Sequence, residues 1–204
     1  CLTQSTLIFL NNCIMKWNYL WIFLYCFVCE VQGQNNWYSN YNYIESFNEG
    51  VAIVKKNNKC AVVNFKGKEI IPLEYDEIKR IDRKFFKVRK NSRYGLFDKE
   101  GKLLIDVNYE DVGIFVDGLA TVKRNGKYGM INESKNNVVP FQYDYIDKLS
   151  EGLILFKKNY KYGYLNKKGK EIIPPIYDRA TPFKLRCATV TINNCEFKIE
   201  KKGW

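Results

Sequence analysis

One short pattern recurs every 34 residues through most of the chain, and this period constrains the fold more than any other feature. Four complete units align without gaps, starting at Gly50, Lys84, Gly118 and Gly152; a fifth, partial unit starts at Arg186. Each unit opens on an alternating stretch such as Val51–Val54 or Leu119–Val122. A basic turn around Asn follows: Lys56-Asn-Asn-Lys59, Lys90-Asn-Ser-Arg93, Arg124-Asn-Gly-Lys127 and Lys158-Asn-Tyr-Lys161. Then come Tyr94-Gly95, Tyr128-Gly129 or Tyr162-Gly163, with Cys60-Ala61 in that slot of the first unit. A second turn holds Gly67, Gly101 or Gly169, with Lys135 as the exception. A third apolar run, such as Ile70-Ile-Pro72 or Ile172-Ile-Pro174, leads to a closing pair: Tyr75-Asp76, Tyr109-Glu110, Tyr143-Asp144 or Tyr177-Asp178.

The physics of this pattern is that of β-structure. Asn followed by Asn, Ser or Gly tolerates the positive φ that tight hairpins between twisted strands require. The flanking segments are short and rich in β-branched and aromatic residues. Each Pro ends its run or sits on an edge strand, where no ladder donor is missed. The expected unit is therefore a three-stranded meander. Tetratricopeptide helices share the period, but Asn, Gly and Pro punctuation every 8–12 residues excludes two amphipathic helices per unit. The expected fold class is all-β: tandem meanders forming an open array or a closed, propeller-like ring. Tyr41 and Ile44 lie one period before Tyr75 and Ile78, so residues 34–49 read as the tail of a preceding unit. Residues 50–185 then hold four repeats, and residues 186–204 a partial one.

Residues 1–33 read as a leader. Met15-Lys16, a mostly apolar run from Trp17 to Cys29, and Val31-Gln32-Gly33 give the layout of a secretory signal peptide, with the start at Met15 and cleavage after Gly33. The alternative is an uncleaved anchor, in which case the leader is the only membrane contact. Cys26 and Cys29 fall inside the apolar run, without a second pair, and read as hydrophobic filler. Three cysteines remain beyond the leader, so this is not a disulfide scaffold. Cys187 and Cys195 flank a predicted hairpin turn and could pair across it; the sequence leaves this open.

The chain has no histidine, which removes Ser-His-Asp and Cys-His nucleophiles, histidine zinc sites and histidine proton shuttles. Its formal net charge is +11, from 33 Lys and Arg against 22 Asp and Glu. A surplus of that size either keeps a lysine-rich surface solvated or favours an anionic partner.

The repeat resembles the WG-repeat proteins, a bacterial family of short β-repeats. The match is clearest in Lys161-Tyr162-Gly163, Lys168-Gly169-Lys170, Ile172-Ile-Pro-Pro175 and Tyr177-Asp178. The departure is consistent: Tyr stands for the family's Trp in three units and Cys60 in the first. The resemblance implies a repeat module with no general enzymatic activity or cofactor, often extracytoplasmic.

Recurrence makes single residues read as structural. Tyr94, Tyr128 and Tyr162 read as rings packed between units rather than as a ligand ladder. Asp76, Glu110, Asp144 and Asp178 read as turn or cap acceptors rather than as acid–base or metal carboxylates. The basic residues at the Asn turns, Lys123, Arg124, Lys127, Lys157, Lys158 and Lys161, cluster on one edge if the turns align, and form the candidate partner-binding surface. The expected function is a non-catalytic, exported module, without cofactor or metal, that binds another protein or an anionic polymer or surface. The alternatives are a structural envelope scaffold with no ligand, and a cryptic carboxylate hydrolase.

Overall fold

A computed structural model describes residues 36–201. The chain divides into two compact units, Cys1–Asn40 and Tyr41–Trp204. The first unit's described residues form a 3-10 turn, Trp37–Asn40, in which the Ser39 N–H and hydroxyl both donate to the Asn36 carbonyl. The expected leader, residues 1–33, lies outside the described residues.

The second unit contains five antiparallel sheets, each a meander in chain order. The first holds β1 (Tyr43–Ile44), β2 (Val51–Lys56), β3 (Lys59–Asn64) and β4 (Glu69–Tyr75). The second holds β5 (Glu77–Arg80), β6 (Phe85–Lys90), β7 (Arg93–Asp98) and β8 (Leu103–Tyr109). The third holds β9 (Asp111–Val112), β10 (Leu119–Arg124), β11 (Lys127–Asn132) and β12 (Asn137–Tyr143). The fourth holds β13 (Tyr145–Ile146), β14 (Leu153–Lys158), β15 (Lys161–Asn166) and β16 (Glu171–Tyr177). The fifth holds β17 (Arg179–Ala180), β18 (Cys187–Ile192) and β19 (Cys195–Glu200).

Three strands of each four-stranded sheet are one repeat, as its turns dictate. Both residues of every Asn hairpin have positive φ: Asn57 and Asn58, Asn91 and Ser92, Asn125 and Gly126, Asn159 and Tyr160, Asn193 and Asn194. This is the backbone of the tight two-residue hairpin. Pro72, Pro140 and Pro174 lie within the last strand of their sheets, an edge position, where the missing N–H breaks no ladder. The fourth strand is shared out differently. The segment after each closing Tyr-Asp crosses over and adds a strand of two to four residues to the next sheet. β1 occupies that place in the first sheet.

Successive sheets stack face to face, with an apolar core at each junction. Val62, Ile71, Tyr75, Phe86 and Val88 fill the first. Leu96, Ile105, Tyr109 and Val122 fill the second, Met130, Tyr143, Phe156 and Leu165 the third, and Tyr164, Tyr177, Phe183 and Val190 the fourth. The array is open: among the described residues no strand of the first sheet pairs with one of the last.

The possible Cys187–Cys195 bridge does not form; both thiols are free. In the ladder Cys187 faces Glu200, whereas Cys195 faces Ile192. Five strand residues therefore separate Cys187 from the position opposite Cys195, roughly 17 Å at the usual rise. A disulfide tolerates less than half that Cα separation.

Candidate functional site

The Asn hairpins, the closing Tyr-Asp pairs and the basic residues all lie on one edge of the array. The closing tyrosines Tyr75, Tyr109, Tyr143 and Tyr177 are buried at the sheet junctions. Burial, with help from Glu74, pushes the Tyr75 phenol up to about 12. The carboxylate that follows each tyrosine does two jobs. Asp76 takes the Lys59 ammonium at 2.6 Å and accepts the Asn91 N–H of the next hairpin at 2.8 Å. Glu110 pairs loosely with Arg93 and accepts the Gly126 N–H at 2.9 Å. Asp144 joins Lys127 and the Asn159 N–H, and Asp178 joins Lys161 and the Asn193 N–H. In the first sheet the Asn42 side-chain oxygen accepts from the Asn57 N–H in the same way.

These contacts depress all four acids. The lysine hydrogen bond is the main cause for Asp76, Asp144 and Asp178, and the Gly126 amide for Glu110. Each of these four carboxylates thus clamps one sheet to the hairpin of the next. Among the described residues no group of three or more Cys, Asp or Glu is placed to hold a metal ion.

The tyrosines of the Tyr-Gly pairs stand opposite the closing tyrosines in the ladder: Tyr94 across from Tyr109, Tyr128 from Tyr143 and Tyr162 from Tyr177. Tyr94, Tyr128 and Tyr162 are half-buried, flanking the junction cores, and each carries an ammonium over its ring: Lys87 at 4.7 Å, Lys123 at 5.1 Å and Lys157 at 5.2 Å. Gly95, Gly129 and Gly163 are set by close backbone approach. A Cβ at Gly129 would meet the Val139 carbonyl at 2.7 Å, and one at Gly163 the Ile173 carbonyl at 2.6 Å. The ladder shifts register there, which drives that carbonyl inward.

The six basic candidates therefore split. Lys127 and Lys161 are neutralised by Asp144 and Asp178. Lys123, Arg124, Lys157 and Lys158 form no ion pair among the described residues and lie against rings instead. Arg124 sits over Tyr109 and Phe141, at 4.8 and 5.1 Å, and Lys158 over Tyr143 at 5.7 Å.

One residue of this edge escapes a reading of the repeat. Tyr145, 40% exposed, follows the closing pair in the column that otherwise reads Tyr43, Glu77, Asp111 and Arg179. Its ring meets Tyr128 edge-on at 6.3 Å. The only signal for it in the sequence is the variability of that column. On the opposite edge, Glu49, Val51, Arg80, Arg83, Lys99 and Glu100 line a shallow cleft of about 220 Å³, in which Arg83 faces Glu49 and Lys99 faces Glu100.

Fold and edge together define a tandem β-repeat module with a clamped, basic hairpin rim. The WG containing repeat model matches residues 39–60, 62–94, 94–128, 128–162 and 162–185, and the chain belongs to the WG-repeat family. No curated protein matches it. Among solved structures it is similar to Kluyveromyces lactis Hsv2 at 10% identity, covering 74% of this chain and 56% of that one, with a TM-score of 0.42. It is also similar to a eukaryotic initiation factor at 9% identity, covering 80% and 54%, TM-score 0.44. A third is YCF48 bound to D1 peptide, at 12% identity, covering 72% and 60%, TM-score 0.34. The chain thus spans less than two thirds of the length of each of these structures.

Proposed function

We propose that this chain is a non-catalytic, exported binding module whose hairpin rim takes an anionic partner, a protein or a polymer. One observation carries the reading. On the third and fourth sheets Lys123, Arg124, Lys157 and Lys158 form no ion pair among the described residues, although the lysines beside them do. Four such cations on two adjacent sheets leave a positively charged patch on the rim. The signal-like layout of Met15–Gly33 supports export. The commitment of each recurring carboxylate to a clamp supports a non-catalytic role.

The test is retention on immobilised polyglutamate, polygalacturonate and single-stranded DNA at low salt. The protein is expected to be retained on at least one, and released as salt screens the patch. Reversing Lys123, Arg124, Lys157 and Lys158 to Glu together abolishes retention. Replacing Lys127 and Lys161 by Met lowers the melting temperature and leaves retention largely intact. A protein that passes through all three columns at low salt refutes this function.

A further inference from the structure

The free cations of the rim are not scattered. In each sheet, one register position places three residues side by side across the first three strands. They are Tyr43, Lys55 and Cys60; Glu77, Arg89 and Tyr94; Asp111, Lys123 and Tyr128; Tyr145, Lys157 and Tyr162; Arg179, Thr191 and Glu196. In the second and third sheets the first member is an acid that takes up a cation: Glu77 holds Arg89, and Asp111 holds Lys87. In the fourth sheet the first member is Tyr145. It reaches back to Tyr128 and joins two rows into one strip, Lys123–Tyr128–Tyr145–Lys157–Tyr162. The strip sets two ammonium groups among three phenol rings. Asp147 lies beside it, close enough to the Tyr145 hydroxyl to help raise its pKa, after the larger effect of burial.

This arrangement selects among anions. Single-stranded nucleic acid binds by laying bases flat on aromatic faces. Here Lys123 and Lys157 sit over the faces of Tyr128 and Tyr162, and Tyr128 and Tyr145 pack edge to face. What the strip offers is ammonium donors separated by half-buried rings with polar tips. A uronate chain presents the complement on every sugar ring: a carboxylate for an ammonium group and hydroxyls for the phenol tips. We propose that this strip binds a linear acidic polysaccharide of the uronate class, with Lys123 and Lys157 taking carboxylates and Tyr128, Tyr145 and Tyr162 contacting the sugar rings. The assignment rests on the rim reading above and names its ligand.

The probe is a galacturonate oligomer, titrated against the whole chain. Saturable binding is expected. Tyr145→Glu restores the residue type that the second and third sheets carry at this position, so the fold is retained, as an unchanged melting temperature checks. It should weaken oligomer binding by about tenfold or more, roughly the value of one good contact. Glu77→Tyr installs an aromatic residue at the matching position of the second sheet, beside Arg89 and Tyr94, and should tighten binding. Unchanged galacturonate affinity in Tyr145→Glu overturns the proposal. So does single-stranded DNA that binds more tightly than the oligomer and is lost in the same variant, which would assign the strip to nucleic acid. Binding of polyglutamate or DNA that needs Lys123 and Lys157 but ignores Tyr145→Glu leaves the rim reading standing and removes the strip. An absence of binding to every polyanion removes both.

Discussion

At the scale of single residues, the repeat makes each departure from it informative. Tyr160 takes the second hairpin position, where the third sheet has Gly126; its φ is +66° and its side chain is 85% exposed. A bulky residue in the left-handed region gains nothing there from packing. Tyr160→Gly should therefore stabilise the protein by about 1 kcal/mol, read as a higher denaturant midpoint at constant slope. Gly163 is the opposite case. A methyl group there meets the Ile173 carbonyl at 2.6 Å and the Phe156 ring at 2.7 Å. Gly163→Ala should cost about 1–3 kcal/mol, as overpacking does. The first sheet carries Ala61 at this place, buried, so its backbone accommodates the methyl group and the cost stays within that range. Equilibrium urea unfolding measures both changes, and a neutral Gly163→Ala would refute the close-approach account.

At the scale of the element, the hairpin with its carboxylate clamp is the structural unit. All four clamp acids are depressed below their ordinary range. A depressed acid contributes stability above its unfolded pKa of about 4 and loses it as pH falls through the lower folded value. Stability should thus be level near neutrality and fall below about pH 4. Asp76→Asn, Glu110→Gln, Asp144→Asn and Asp178→Asn together should flatten that fall, as thermal melts across pH would show. An acid limb equally steep in the quadruple variant would place the titrating groups elsewhere. The meander was legible because its turns are chemically explicit: Asn at the first hairpin position and Gly at the second turn tolerate the positive φ that these turns require. The added fourth strand was not, because segments as short as Asp111–Val112 and Tyr145–Ile146 show no periodicity. Nor was the split among the lysines. Sequence spacing put Lys123 and Lys127 on one edge, but only the fold brings Asp144, 17 residues away, onto Lys127 and leaves Lys123 on a ring. Tyr145 was hidden for the same reason, since the fold carries it into the sheet after the one that holds its partner Tyr128.

At the scale of the whole molecule, stability is distributed by junction, as in other stacked repeats. The second, third and fourth sheets have cores on both faces, whereas β19 is exposed at every residue but Ile199. Native-state hydrogen exchange should find β18 and β19 exchanging faster than β14 and β15. Uniform protection across the five sheets would mean that the array unfolds as one block. The crossover strand gives the array a further property. Each sheet after the first borrows its outer strand from the repeat before it, so a tether drawn between the two ends loads these short strands and their carboxylate clamps in series. A force high enough to break a clamp would release a single 34-residue unit, roughly 110–120 Å of extended chain, before the next began to yield. The protein should stretch as a ratchet of near-equal steps and shorten again by restacking.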